Sequence, residues 1–496
     1  MKKKVQNFIG GEWTDSVTGE TFESINPADT SEVVAVVSKS SRADVDNAVN
    51  TARDAYRMWR LTPAPKRGEI LYKAGEILTN RKRELGELLT REMGKVLAEA
   101  LGDVQEAIDM AYYMAGEGRR LSGETIPSEL PDKDCKSVRV PIGVCGLITP
   151  WNFPVAIPGW KLMPALVSGN TVVFKPSSHT PACAAMLVEI LREAGLPAGV
   201  LNLINGSGEE TGDYLASHNG IDGISFTGST AVGLGIAKIC AERGKRVSCE
   251  MGGKNAIIIM ADADLALALE GAIWGGFGTS GQRCTSSSRL VVHRAVHDKF
   301  LDMFAAAAGR LRLGNGLKPE TDVGPVINKA QMERVLKYIG TGKEEGAKLA
   351  TGGHACREGG CEKGYFIEPT IFSGVTPGMR IAQEEIFGPV VSVLRAEDLE
   401  DAVRIVNNTA YGLVSSIYTR DVNKSAFAER ELDTGIVYIN SSTIGAEIQL
   451  PFGGTKRSGF GHEEAGGRGG SLDMFTKWKV VYRDFSGRLQ KAQIDR

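Results

Sequence analysis

The sequence predicts an α/β protein built on two parallel sheets, and three observations carry that expectation. From residue 143 onward, short β-branched runs alternate with amphipathic helical segments, and strands joined through helices lie parallel with right-handed crossovers. A second alternating series begins at Leu265, so the chain changes character near residue 253. At 496 residues it is also too long for one hydrophobic core, and two or three domains are expected.

In chain order, the first 120 residues read as a short β region followed by helices. One helix starts at Ala43, with apolar residues recurring through Ala52, Tyr56 and Trp59 until Pro63 and Pro65 end it. Residues 67–81 form the next. A third, over 98–118, carries Val104, Ile108, Ala111 and Met114 on one face. Ser137-Val138-Arg139-Val140 suits a projecting hairpin. The alternating series then places strands over 143–149, 171–174, 200–204, 223–226 and 246–249, with helices over 180–194, 209–217 and 231–243. Gly195 and Pro197 stop the first of these helices. The second series includes strands at 289–293 and 438–440. There is no repeat and no low-complexity linker.

Bulk properties exclude several classes. Hydrophobic residues at 42% and charged ones at 24% are the balance of an ordinary soluble protein. With 58 basic residues against 60 acidic ones and no long block of like charge, a nucleic-acid partner is not expected. Met1-Lys2-Lys3-Lys4 has the charge of a signal-peptide start, but Val5 to Glu12 contains no apolar core. Asp262, Asp264 and Glu270 break the most apolar later stretch, so no membrane span is expected. Eight cysteines lie singly, without a CxxC pair, which suits reduced thiols in the cytoplasm. Cys356 and Cys361 share a Gly-rich loop with His354, but their spacing is not that of the usual zinc sites and no metal is expected.

The chemistry concentrates around Gln282-Arg283-Cys284-Thr285, which follows the turn-like run Gly278-Thr279-Ser280-Gly281. A thiol is a nucleophile only as thiolate, which needs a cationic or dipolar setting, and Arg283 is the neighbour expected to help. Glu250 offers a carboxylate and Asn152 an amide. Nucleophile, base and oxyanion donor are what an acyl-transfer site requires. Each alone has a plainer explanation: a buried inert cysteine, a surface acid at a strand end, a turn amide beside Pro154. Phe226-Thr227-Gly228-Ser229-Thr230 runs from a strand through a glycine turn into a helix, where exposed N–H groups attract phosphate. It lacks GxGxxG, and a tight turn explains Gly228 equally well.

Six motifs occur in one order: Pro150-Trp151-Asn152-Phe153-Pro154, Val173-Phe174-Lys175-Pro176, Phe226-Thr227-Gly228-Ser229-Thr230, Glu250-Met251-Gly252-Gly253-Lys254-Asn255, Gly281-Gln282-Arg283-Cys284 and Glu385-Ile386-Phe387-Gly388-Pro389-Val390. The chain resembles the NAD(P)-dependent aldehyde dehydrogenase superfamily, from Asn7-Phe8-Ile9-Gly10-Gly11-Glu12-Trp13 to Pro451-Phe452-Gly453-Gly454. The resemblance implies two Rossmann-type parallel-sheet domains plus a small β oligomerisation element. Residues 1–122 and 142–252 would bind the dinucleotide, 253–450 would form the catalytic domain, and 123–141 with 451–496 the oligomerisation element and tail. A homodimer or homotetramer is expected, because a strand containing Val480-Val481-Tyr482 would otherwise leave an open edge.

The resemblance also implies cofactor contacts at Ile148, Trp151, Lys175, Ser178, Gly228, Ser229, Glu385 and Phe387. Ser229 would meet the pyrophosphate, Lys175 the adenosine ribose, Glu385 the nicotinamide ribose, and Phe387 would pack near the ring. A surface lysine and a solvated acid are the plainer explanations of Lys175 and Glu385. No acid in the Lys175 loop repels a 2′-phosphate and Lys175 attracts one, which tilts the expectation slightly toward NADP, with NAD also used.

In the implied mechanism Cys284 attacks the aldehyde, Asn152 and the Cys284 N–H hold the oxyanion, hydride leaves, and Glu250 activates water to hydrolyse the thioester. A carboxylate at position 250 favours release of a free acid. The alternatives are a coenzyme A-acylating semialdehyde dehydrogenase, a catalytically silent scaffold, and a cysteine hydrolase, for which no motif supplies the histidine. Phe153, Trp160 and Arg283 are the expected substrate contacts. Arg283 would pair with the far carboxylate of a semialdehyde, unless it forms a structural salt bridge beneath the site. Gly445-Ala446-Glu447-Ile448 resembles the anchoring loop of the aminoadipate-semialdehyde branch, and Gln-Arg-Cys resembles enzymes acting on ketoglutarate semialdehyde. Phe153 and Trp160 point instead to unbranched aliphatic or aromatic aldehydes.

Overall fold

A computed structural model describes residues 3–494, so Met1 and Lys2 of the basic start lie outside the described residues. The first alternating series forms an eight-stranded sheet. Its parallel centre runs Arg246–Glu250, Gly223–Thr227, Val144–Ile148, Thr171–Lys175 and Leu201–Leu203. Asn7–Ile9 and Glu12–Thr14 extend one side, and Gly459–Phe460 pairs antiparallel with Arg246–Glu250 on the other. Every residue of Val144–Ile148, Thr171–Lys175 and Gly223–Thr227 is buried. Helices cover both faces, which is why these strands read as continuous apolar runs and not as alternations. The strand order reverses between Val144–Ile148 and Gly223–Thr227, and ligands of open α/β sheets bind beyond the strand ends at such a point.

The second series forms a seven-stranded sheet in the order Lys348–Thr351, Thr370–Ser373, Val390–Ala396, Ser287–His293, Asn255–Ile259, Val414–Tyr418 and Ile436–Ile439. All neighbours are parallel except the first pair. Cys284 lies just before Ser287–His293, and Glu385 just before Val390–Ala396. The entrances of these strands therefore face the exits of the first sheet.

A separate antiparallel sheet joins Glu124–Pro127, Lys133–Pro141 and Thr476–Asp484, the last as an edge strand. Trp478, Val480 and Tyr482 on it are 48%, 54% and 67% exposed, an open apolar edge on a strand nine residues long.

Two helices depart from expectation. Lys82–Met93 is a separate helix, and Ala156–Val167 forms a helix directly after the Asn152 turn. Pro158, Gly159 and Pro164 hide the second in the sequence, yet all twelve of its residues are buried between the sheet and Leu97–Glu117. Proline at 164 breaks the local pattern, and tertiary burial overrides it. Pro65 opens the helix Ala64–Asn80 from its first turn instead of ending the previous one. Residues 209–217 begin with a wide π-helical turn, Gly208–Gly212. No helix among the described residues is long and apolar enough to cross a membrane.

Candidate active site

Two crevices meet at Cys284. The first, of about 700 Å³, is bordered by Pro150, Trp151, Asn152, Gly228, Ser229, Gly252, Glu385 and Phe387. The second, of about 570 Å³, is bordered by Glu106, Phe153, Trp160, Glu250, Arg283, Ala446, Phe452 and Glu464. Ile157, Thr227, Met251 and Cys284 border both.

Cys284 sits on a tightly held turn. Thr279, Ser280 and Gly281 adopt φ of 53°, 57° and 68°, left-handed backbone that costs a non-glycine residue about 1–3 kcal/mol. Glu99 offsets that cost by accepting the Thr279 N–H at 2.8 Å. A Cβ on Gly281 would lie 2.2 Å from the Gly388 carbonyl oxygen, so only glycine fits there. Asn152 donates to the Gln282 carbonyl at 3.0 Å, and Asn255 to the Cys284 carbonyl at 2.6 Å. An amide nitrogen carries two hydrogens, so Asn152 keeps one for a ligand.

The electrostatics of Cys284 correct the expectation about Arg283. Burial first, and then the carboxylates Glu385, Glu250 and Glu464, push its thiol up to about 12. The Arg283 guanidinium does not face the sulfur. It donates to Thr279 Oγ1 at 2.9 Å, lies 3.6 Å from Glu99 and stacks between Phe153 and Trp274, at 5.1 and 4.9 Å from the ring centres. The ion pair is the structural salt bridge foreseen as the alternative, although Arg283 also borders the second crevice.

Glu250 is buried at the exit of its strand, and its Oε2 has no partner among the described residues. Burial and the nearby Glu464 hold its carboxyl well above the usual range. Glu464 accepts from Lys161 and, at 2.6 Å, from Thr227 Oγ1, while Lys161 also donates to Ser225 Oγ at 2.7 Å. Sequence reasoning missed this chain. Glu464 comes from the segment grouped with the tail, and only the return of Gly459–Phe460 to the sheet edge brings it beside Glu250. It also missed Glu106, whose carboxyl is pushed up to about 8 by burial and the neighbouring Asp103. Lys95 pairs with Asp103 at 3.0 Å with both side chains fully buried, and Asp103 caps Ala156 N–H at 2.6 Å. No local signal marks these residues: Asp103 and Glu106 share a helix, but Lys95, the Ala156 N–H and Arg283, which they meet, lie on other elements.

The expected cofactor residues divide into two groups. Trp151, Gly228, Ser229, Glu385 and Phe387 border the first crevice. Phe387 is held at φ 60° with its ring edge-on to Trp151, 5.3 Å between centres. Glu385 accepts the Gly253 N–H at 2.9 Å. The helix Thr230–Glu242 starts at Ser229 without a side-chain cap, leaving its N–H groups toward the crevice. Lys175, Ser178 and Ile148 lie beyond its lining. Lys175 is buried, donates to the Pro176 carbonyl at 2.8 Å, and burial pulls its ammonium down to about 8. Ser178 is half-buried in the loop that follows. The Ile148 side chain packs in the core with Val173 and Phe226. Phe153, Trp160 and Arg283 all border the second crevice, and Trp160 meets Phe452 edge-on at 5.2 Å. No group of three or more His, Cys, Asp or Glu suited to a metal occurs among the described residues.

Known proteins match this arrangement along nearly its whole length. The α-ketoglutaric semialdehyde dehydrogenase of Bacillus subtilis (strain 168) is 42% identical over 476 residues, covering 96% of this chain and 97% of that protein. The 2,5-dioxopentanoate dehydrogenase of Saccharolobus solfataricus is 43% identical, covering 94% and 96%. Among solved structures, betaine aldehyde dehydrogenase from Staphylococcus aureus in complex with NAD+ superposes with a TM-score of 0.95 at 34% identity, covering 98% of this chain and 96% of that one. The profile of the aldehyde dehydrogenase family matches residues 13–481. The chain belongs to the aldehyde dehydrogenase family, as an NAD(P)-dependent oxidoreductase that oxidises aldehydes.

Proposed function

We propose that the chain oxidises a semialdehyde bearing a far carboxylate, of the 2,5-dioxopentanoate type, to the dicarboxylic acid. The observation that carries this is the wall of the second crevice, where the buried Arg283 guanidinium stands beside Glu106. With its pKa near 8, Glu106 is mostly neutral at pH 7 and does not repel an incoming carboxylate. A neutral carboxyl also donates a hydrogen bond, which suits a carboxylate or keto oxygen. The two relatives named for this substrate support the reading.

The first crevice fits a dinucleotide. The uncapped helix start at Ser229 suits a pyrophosphate, and the Glu385 carboxylate suits ribose hydroxyls. When bound there, NAD or NADP supplies a cationic ring and a hydride acceptor. Lys175 is the residue on which a slight lean toward NADP rests, with NAD also used. In this reading Cys284 gives its proton to solvent water and the thiolate attacks the aldehyde carbon. The oxyanion takes the free Asn152 N–H and the Cys284 N–H, each contributing about 3 kcal/mol. After hydride loss, Glu250 accepts a proton from water, which attacks the thioester and frees the acid. Glu250 must first be ionised, and the nearby Lys161 ammonium favours that charged form. Residues 1–122 with 142–252 would hold the cofactor and 253–450 the nucleophile, while Thr476–Asp484 would pair with a second copy in a dimer or tetramer.

The test follows nicotinamide reduction with 2,5-dioxopentanoate, glutaric semialdehyde, butanal and hexanal. The semialdehydes should show kcat/KM higher by about tenfold or more, the worth of one charge-assisted pair. Arg283→Gln should erase that preference through KM. Preference for uncharged aldehydes, undiminished in Arg283→Gln, would return the aromatic wall of Phe153, Trp160 and Phe452 as the specificity element.

A further inference from the structure

Away from both crevices, a surface loop holds two cysteines that aldehyde oxidation does not use. Cys356-Arg357-Glu358-Gly359-Gly360-Cys361 turns back on itself through Gly359 and Gly360, at φ 65° and 97°, backbone open to glycine. Both ends of the turn close on one oxygen. The Glu358 carbonyl accepts the Cys361 N–H at 3.2 Å and the Cys356 thiol at 3.5 Å. The Cys356 side chain lies near enough to act on the Cys361 thiol, and both side chains pack in one small apolar cluster with Ala28 and Phe366. A hydrogen bond from Cys356 N–H to the Phe366 carbonyl at 3.0 Å fixes the loop base.

The two sulfurs differ in access. Cys361 is 1% exposed, whereas Cys356 is half-buried, and both border an open cavity of about 900 Å³ shared with Arg312 and Lys318. Cys145, Cys183, Cys240 and Cys249 are buried, out of reach of a soluble oxidant.

We propose that Cys356 and Cys361 form a reversible thiol–disulfide site, closed by a low-molecular-weight disulfide such as oxidised glutathione. The Cys356 thiolate attacks one glutathione sulfur, forming a mixed disulfide and releasing the first glutathione as thiolate. Cys361 then loses its proton and attacks the Cys356 sulfur, breaking the mixed disulfide and releasing the second. The pair gives up two electrons, the glutathione disulfide gains them, and the two thiol protons end on the two glutathiones. Lys318 and Arg312 border the cavity with Glu320 and Glu358, and Arg312 is paired with Asp322 at 3.0 Å, so access to the half-buried Cys356, more than charge, selects the entering sulfur. Burial and Cys356 push the Cys361 thiol up to about 12, which suits it as the second sulfur, reacting only with a partner already held beside it.

The experiment treats the full chain with oxidised glutathione, blocks remaining thiols with N-ethylmaleimide, and weighs the digested peptides. The peptide joining Cys356 and Cys361 should be lighter by both thiol hydrogens and carry no maleimide. The denatured thiol titre should fall by that pair, beyond any glutathione adduct at the half-buried Cys135 and Cys284, and return with dithiothreitol. Cys361→Ser should accumulate a glutathione adduct at Cys356, and Cys356→Ser should gain none at Cys361, both keeping native aldehyde oxidation. Maleimide on both cysteines after oxidation would overturn the proposal. So would a glutathione adduct that persists at Cys356 in the native chain. If a variant fails to fold, the native peptide mass decides alone.

Discussion

Glu250 is the proposed base, and its surroundings favour the protonated carboxyl. Its pKa is raised by burial and by Glu464, so it becomes competent only as pH rises, and turnover limited by thioester hydrolysis should climb with pH. Glu464→Gln removes the like charge and frees the Lys161 ammonium to act on Glu250. Both effects lower the Glu250 pKa, so the rising limb of the pH–rate profile should move to lower pH. An unmoved limb would separate Glu464 from the base. Glu250→Gln should give one burst of reduced cofactor followed by slow hydrolysis, while Cys284→Ala should abolish oxidation and retain cofactor binding. Asn152→Ala should cost about a hundredfold or more in kcat, for loss of one oxyanion donor. Lys175 invites a separate measurement. Its ammonium, at about 8, attracts a 2′-phosphate only while protonated, so any NADP preference should weaken above that pH and vanish in Lys175→Met. At this scale the sequence displayed Cys284, Glu250 and Asn152, because each stands in a short motif. Glu464, Lys161 and Glu99 act through partners on distant elements, and Glu106 meets Arg283 only in the folded chain, so periodicity carries no trace of such contacts.

At the scale of elements, the turn Gly278–Gly281 and the helix Ala156–Val167 position the chemistry. Gly281→Ala would drive a methyl group into the Gly388 carbonyl, displacing either Cys284 or the Phe387 segment. Activity should fall at least tenfold with a lower melting temperature, and a fully active variant would show that the turn relaxes freely. The helix depends on the Lys95–Asp103 pair beneath its start. Removing one partner of a buried ion pair typically costs about 3–5 kcal/mol, so Lys95→Met should unfold at markedly lower denaturant. The alternating strands were legible because buried parallel strands are short, β-branched and spaced by helices. Ala156–Val167 was not, because Pro164 removes an intrahelical donor and a helix buried on every side shows no amphipathic stripe. Gly459–Phe460 was not either, since two residues give no pattern.

At the scale of the whole molecule, Thr476–Asp484 leaves one side unpaired and Trp478, Val480 and Tyr482 in the open. Pairing with a second copy would cover them, so Val480→Lys with Tyr482→Lys should shift sedimentation toward a smaller species while leaving each chain folded. Identical sedimentation would place any interface elsewhere. The meeting of the two crevices at Cys284 has a kinetic corollary. One sulfur with two doors lets traffic on one side proceed while the other is shut. An acyl group held in the aromatic chamber need not block departure of spent nicotinamide, nor entry of a fresh molecule. In Glu250→Gln, where the acyl chain lingers, reduced cofactor should wash out and be replaced before the acid is released.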